Sequence, residues 1–133
     1  MGSYADDALF MSRNNIEYVE LISDDGKSKV MVIPAWQGRV MTTSAAGDEG
    51  DSYGWINYSF IKKRQIDLQF NPVGGEERFW LGPEGGVFSL YFRQGEKQIY
   101  KNWKVPPVLD IEAFKIQSQS KNCICLTLSL IHI

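Results

Sequence analysis

From Ile16 onward the apolar residues of this chain come at strand spacing, in short runs cut by turn-forming clusters. Such punctuation leaves little room for long helices and favours many short strands joined by loops. Ile16 to Ile22 and Lys29 to Pro34 are two β-rich runs, and Ser23 to Ser28, with Asp25-Gly26 inside it, joins them as a hairpin. Gly38 to Ser44 reads as a third strand, ending at the loop Ala45 to Asp51, and Tyr53 to Tyr58 as a fourth. Val87 to Arg93 alternates most cleanly, with Phe88, Leu90 and Phe92 on one face and Ser89, Tyr91 and Arg93 on the other. After the break at Pro106-Pro107, Glu112 to Gln119 and the run from Cys123 form a further hairpin around Ser120-Lys121-Asn122. Ahead of the strands, Ser3 and Asp6 have the spacing of a capping box, which predicts a short helix over residues 4–13. The expected fold is all-β, an antiparallel β-sandwich with a short N-terminal helix.

A chain of 133 residues is one domain's worth, and 44% hydrophobic content with 13% aromatic excludes disorder. The net charge of −2, with no basic cluster beyond Lys62-Lys63-Arg64, argues against nucleic acid or an anionic membrane surface as partner. There is no apolar run long enough to span a bilayer. Residues 1–11 hold two adjacent Asp residues and no apolar core, so they do not read as a signal peptide. The chain is expected in the cytoplasm as written, or in the periplasm if an export signal was lost. Cys123 and Cys125 would share one strand face, too constrained for a mutual disulfide, and are expected as small buried side chains. Two sulfurs and one histidine make no zinc set, and neither metal nor cofactor is expected.

Leu128-Ser129-Leu130-Ile131-His132-Ile133 matches the translation of an adapter used in transposon-based sequencing libraries. The expectation is that residues 1–127 are the N-terminal part of one domain and 128–133 are adapter-derived; an ordinary C-terminal strand is the alternative. His132, the lone histidine, falls in this string, so no general-base role is built on it.

Chemistry concentrates in Gly74-Gly75-Glu76-Glu77-Arg78-Phe79-Trp80-Leu81-Gly82-Pro83-Glu84-Gly85-Gly86. Glycine pairs let the backbone bend sharply at both ends, and between them stand a cation, carboxylates and an indole. Sugar sites combine planar polar groups with an aromatic platform, so Glu76, Arg78, Trp80 and Glu84 are candidate ligand residues. In an extended segment Arg78 and Trp80 share a face, with Phe79 and Leu81 on the other. Alternatively Phe79 and Trp80 are core and Arg78 pairs with a nearby Glu; the residues alone leave both open. Arg39, after Gln37-Gly38, is a further candidate, against the plainer reading of a surface or ion-paired arginine. Asn57 either binds or closes a turn, while neighbouring Trp55 is expected in the core. Glu76 and Glu84 would suit a glycosidase carboxylate pair, but so would many Glu pairs. The glycine spacing fits neither phosphate-loop nor dinucleotide fingerprints.

Ile33-Pro34-Ala35-Trp36-Gln37-Gly38-Arg39-Val40-Met41-Thr42-Thr43-Ser44, Tyr53-Gly54-Trp55-Ile56-Asn57 and the Gly74–Gly86 segment together resemble an uncharacterised bacterial family, common in Bacteroidetes, of galactose-mutarotase-like proteins. The resemblance runs from about Tyr4 to about Thr127, and implies part of a large two-sheet β-supersandwich in a longer protein. It also implies sugar binding at Arg39, Arg78 and Trp80, with a sugar or oligosaccharide as partner. Aldose 1-epimerases of the wider superfamily use a Glu and a His; this sequence departs from that pattern at the histidine. The resemblance therefore implies either an aldose-epimerase-like protein, inactive as this fragment, or a non-catalytic carbohydrate-recognition module or scaffold of a polysaccharide-utilisation system.

Overall fold

The computed structural model of the chain describes residues 2–130; Ile131, His132 and Ile133, where the adapter-like string ends, lie outside the described residues. Helix α1 (Tyr4–Arg13) forms where the capping box predicts it. The Ser3 amide donates to the Asp6 carboxylate at 3.0 Å, and the Asp6 amide donates to Ser3 Oγ at 3.2 Å. Asp6 and Asp7 in the first turn and Arg13 in the last complement the helix dipole. Tyr4, Asp7 and Met11, spaced along one face, are buried.

Strands β1 (Val19–Ile22), β2 (Lys29–Ile33) and β3 (Arg39–Ser44) make an antiparallel sheet in chain order. Asp25 organises the first turn by accepting from Ser23 Oγ at 2.6 Å and from the Lys27 amide at 3.0 Å. The second connection is tighter: a single 3-10 turn at Pro34–Trp36, then Gln37 in the left-handed region. Alternation sends Met31, Ile33 and Met41 into one core with Tyr4, Met11, Ile56, Ile61 and Val73. Beneath α1, buried Asp7 accepts hydrogen bonds from Ser52 Oγ and the Tyr58 hydroxyl, fastening the helix to the segment that follows β3.

The expected strand at Tyr53–Tyr58 does not form. Ile56 makes one isolated bridge to Gly74, and Asn57 instead caps helix α2 (Tyr58–Lys62), its side chain accepting from the Phe60 amide at 3.2 Å. Trp55, expected in the core, is 64% exposed. The space beside β3 is taken by the Gly74–Glu77 segment: Val40 donates to the Glu77 carbonyl at 3.0 Å, and Glu76 donates to the Val40 carbonyl at 2.9 Å. Those bonds cover the free edge of the sheet.

Val87–Arg93 is not a strand either, but a succession of bends and turns. Its burial is opposite to the expected alternation, with Phe88 83% exposed and Tyr91 only 1%. Tyr91 anchors a second apolar cluster with Val105, Val108 and Leu109, the last two on the short helix α3 (Pro107–Asp110). Here the ring of Tyr91 stacks on Trp80 and Trp103, and its hydroxyl donates to the Leu81 carbonyl at 2.6 Å. Those contacts outweigh a local alternation that has no partner strand to support it.

The last hairpin, β4 (Lys115–Gln119) with β5 (Ile124–Thr127), forms as expected. Its turn meets β1 through Ile22 donating to the Lys121 carbonyl at 2.8 Å. Cys123 and Cys125 are free thiols and exposed rather than buried, because this ribbon covers little of the core. The architecture is thus β-rich, with two antiparallel sheets and a short N-terminal helix.

Candidate functional site

Arg39 opens β3 with its side chain turned inward, 3% exposed. Its stem lies against Gly75. A Cβ there would come within 2.7 Å of Arg39 Cδ, and the backbone has φ +111°, so only glycine makes this shelf without strain. Arg39 Nη1 donates to the Gly74 carbonyl at 2.7 Å, whereas Nε is buried with no partner. Burial, and secondarily the nearby Arg78 charge, lower the Arg39 pKa to about 10 against the opposing pull of Asp110. The guanidinium therefore stays charged at neutral pH.

Gln37, two residues earlier, holds φ 61° and is 1% exposed. A non-glycine residue held there with its amide buried is costly enough that the surroundings must enforce it. Its Nε2 donates to the Glu112 carbonyl at 2.9 Å, while Oε1 is buried without a partner. Gln37 and Arg39 line one cavity of about 270 Å³, walled by Trp36, Phe60 and Ile61 and carrying Asn71 and Asp110 as further polar groups. Arg64, exposed just past the end of α2, also lines it.

Asp110 links this cavity to the second cluster. Its Oδ2 accepts from the Asn71 amide at 2.7 Å and from Asn71 Nδ2 at 2.8 Å, and its Oδ1 pairs with Arg78 Nη2 at 3.4 Å. Arg78 also donates to the Leu109 carbonyl at 2.5 Å and lies over the Trp80 ring at 4.3 Å. Burial holds the Arg78 pKa below its usual value although Asp110 opposes this. Arg78 and Trp80 do share a side of the segment, as their spacing predicts, but the contacts they make there are with the chain itself. Trp80 Nε1 donates to Glu84 at 2.7 Å, and Phe70 meets the ring edge-on.

Of the six residues singled out in the sequence, Arg39 lines the cavity and Arg78 reaches it through Asp110. Glu76 accepts from the Thr43 amide at 2.9 Å and from its hydroxyl at 3.0 Å, tying the glycine segment to β3. Asn57 closes a turn, capping α2 and donating to the Pro72 carbonyl at 2.9 Å. Glu76 and Glu84 serve different partners. Gln37, Asn71 and Asp110 carry no such mark in the sequence; only the turn-favouring Pro34-Ala35-Trp36 beside Gln37 hints at an unusual backbone there. Among the described residues no group of three or more His, Cys, Asp or Glu is placed to hold a metal ion. Nor is any helix among them long and apolar enough to cross a membrane.

Residues 2–131 match the model of a family described as a family of unknown function, DUF6786. The chain belongs to this family. No curated protein and no solved structure matches it. In this family member the cavity brings together Gln37, with a buried acceptor, Arg39, with a buried donor, and the aromatic side chains of Trp36 and Phe60.

Proposed function

We propose that this chain binds a carbohydrate, taking one sugar ring into the cavity beside Arg39. The observation that carries this reading is that Gln37 and Arg39, each with a buried polar atom that has no partner (Oε1 and Nε), line a space also walled by Trp36 and Phe60. An unpaired buried polar atom costs about 1–3 kcal/mol, a cost that a ligand removes by pairing it. A sugar hydroxyl donates to the glutamine oxygen, its ring or hydroxyl oxygen accepts from the arginine, and its C–H face rests on an aromatic wall. A volume of about 270 Å³ suits a single small ring rather than an extended chain.

The family resemblance described above supports the same reading, and with it a β-sandwich of the galactose-mutarotase type of which the two sheets are part. Within that reading, recognition without catalysis is favoured over an aldose epimerase. Mutarotation needs a free base at the anomeric hydroxyl. The carboxylate lining the cavity, Asp110, already has both oxygens engaged, by Asn71 and by Arg78.

Saturation-transfer NMR across a panel of hexoses tests both points. Binding is expected without faster anomeric exchange, and Gln37→Ala is expected to weaken it by about tenfold, the loss of one buried hydrogen bond. Accelerated exchange would restore the epimerase; absence of binding across the panel would remove the carbohydrate reading.

A further inference from the structure

The cavity's charges do not balance. Asp110 is ion-paired with Arg78, which leaves buried Arg39 and exposed Arg64, both on the lining, with no carboxylate partner among the described residues. Arg39 is the sharper case: a buried guanidinium needs a compensating anion, and its single hydrogen bond goes to a neutral carbonyl. Arg78 acts on it as a second positive charge, and the aspartate that opposes this, Asp110, is already paired with Arg78. Glu76 and Glu77, close in sequence to the glycine shelf beneath it, are exposed, and Glu76 turns to Thr43. A neutral sugar would satisfy the hydrogen bonds of Arg39 but leave its charge unmatched.

We infer that the preferred ligand is an acidic sugar, a uronate-type ring whose carboxylate pairs with the Arg39 guanidinium on the cavity lining. This rests on the carbohydrate reading above and adds the charge to it. Arg64, exposed and on the cavity lining, supplies a second, solvent-screened attraction. The planar guanidinium edge is suited to a carboxylate, and a charge-assisted bond is roughly twice as strong as a neutral one.

Calorimetric titration with D-galacturonate and D-glucuronate, the parent D-galactose and D-glucose, and cyclohexanecarboxylate separates the possibilities. At least one uronate is expected to bind about tenfold more tightly than its parent hexose and than the non-sugar carboxylate. Arg39→Met is expected to abolish that preference. Arg64→Gln is expected to lower uronate affinity about threefold at low salt, a larger loss than it causes for the hexoses. Equal binding of hexose and uronate overturns the acidic preference and leaves the sugar site standing. Equal binding of uronate and cyclohexanecarboxylate, with no hexose binding, overturns the sugar site itself. No binding by any probe overturns both, and a preference that survives Arg39→Met and Arg64→Gln overturns the assignment to these arginines.

Discussion

At the scale of single residues, this molecule places several polar groups where water cannot reach them. Arg39 and Gln37 face the cavity; Asp7 and Tyr58 lock the N-terminal helix. For Tyr58, burial first and the hydrogen bond and charge of Asp7 second raise the pKa to about 12. The raised pKa makes the folded protein hold its phenolic proton where the unfolded chain releases it. The Tyr58 contribution is therefore complete below about pH 10, the unfolded phenol's pKa, and is lost as pH rises toward 12. Tyr4, also raised by burial, acts in the same sense, while Arg39, lowered, acts in the opposite one. Urea midpoints measured from pH 8 to 11.5 are expected to fall on the alkaline side less steeply in Tyr58→Phe than in the parent. Identical slopes would mean that Tyr58 is not coupled to Asp7 in solution.

At the scale of elements, the glycine-rich segment has two duties that its composition did not separate. Gly74 to Glu77 covers the edge of β3 and forms the shelf for Arg39, while Arg78 to Glu84 belongs to the aromatic cluster around Tyr91. Gly75→Ala introduces a Cβ against Arg39 and a strained backbone at once, and is expected to destabilise the fold by about 1–3 kcal/mol. Chemical denaturation would measure that loss. Hydrogen exchange should show the Val40 and Glu76 amides losing protection first, since they make the edge-covering bonds. Uniform loss of protection across β1 to β3 would contradict a local edge role.

Local signals made some elements legible in advance. α1 was readable because its cap lies three residues inside the same turn, and β2, β3 and the β4–β5 hairpin because turn chemistry flanks alternating runs. Tyr53–Tyr58 and Val87–Arg93 were not, since their strand-like composition found no neighbouring strand to complete a ladder. A lone strand leaves its backbone groups unpaired, and helix capping at Asn57 or side-chain stacking at Tyr91 then prevails.

For the molecule as a whole, the two sheets are joined through few positions. Gly38, at φ +63°, is one: a Cβ there would lie 2.5 Å from Leu126 Cδ1, so the hairpin rests directly on the β2–β3 turn. Phe114 adds a backbone bond to the Pro34 carbonyl at 2.9 Å. Gly38→Ala is expected to lift β4–β5 from the first sheet while the three-stranded sheet persists. Amide exchange should accelerate in residues 114–127 with little change in β1 to β3; an unaltered hairpin would show that Leu126 simply moves aside. Because Gln37 precedes Gly38 and donates to the Glu112 carbonyl, the same change should also disturb the cavity.

The sequence by itself determined what depends on neighbours along the chain: the capped helix, the hairpins, the β-rich class, and Arg39 as a residue of interest. Tertiary structure decided what depends on residues far apart. It brought Gln37 and Arg39 from one turn, Asn71 from a loop and Asp110 from the end of α3 around one space, and it engaged Arg78 and Trp80 within the chain. The physical reason is desolvation. A side chain's chemistry is readable from its type, but whether its charge and hydrogen bonds are satisfied depends on which distant groups burial sets beside it.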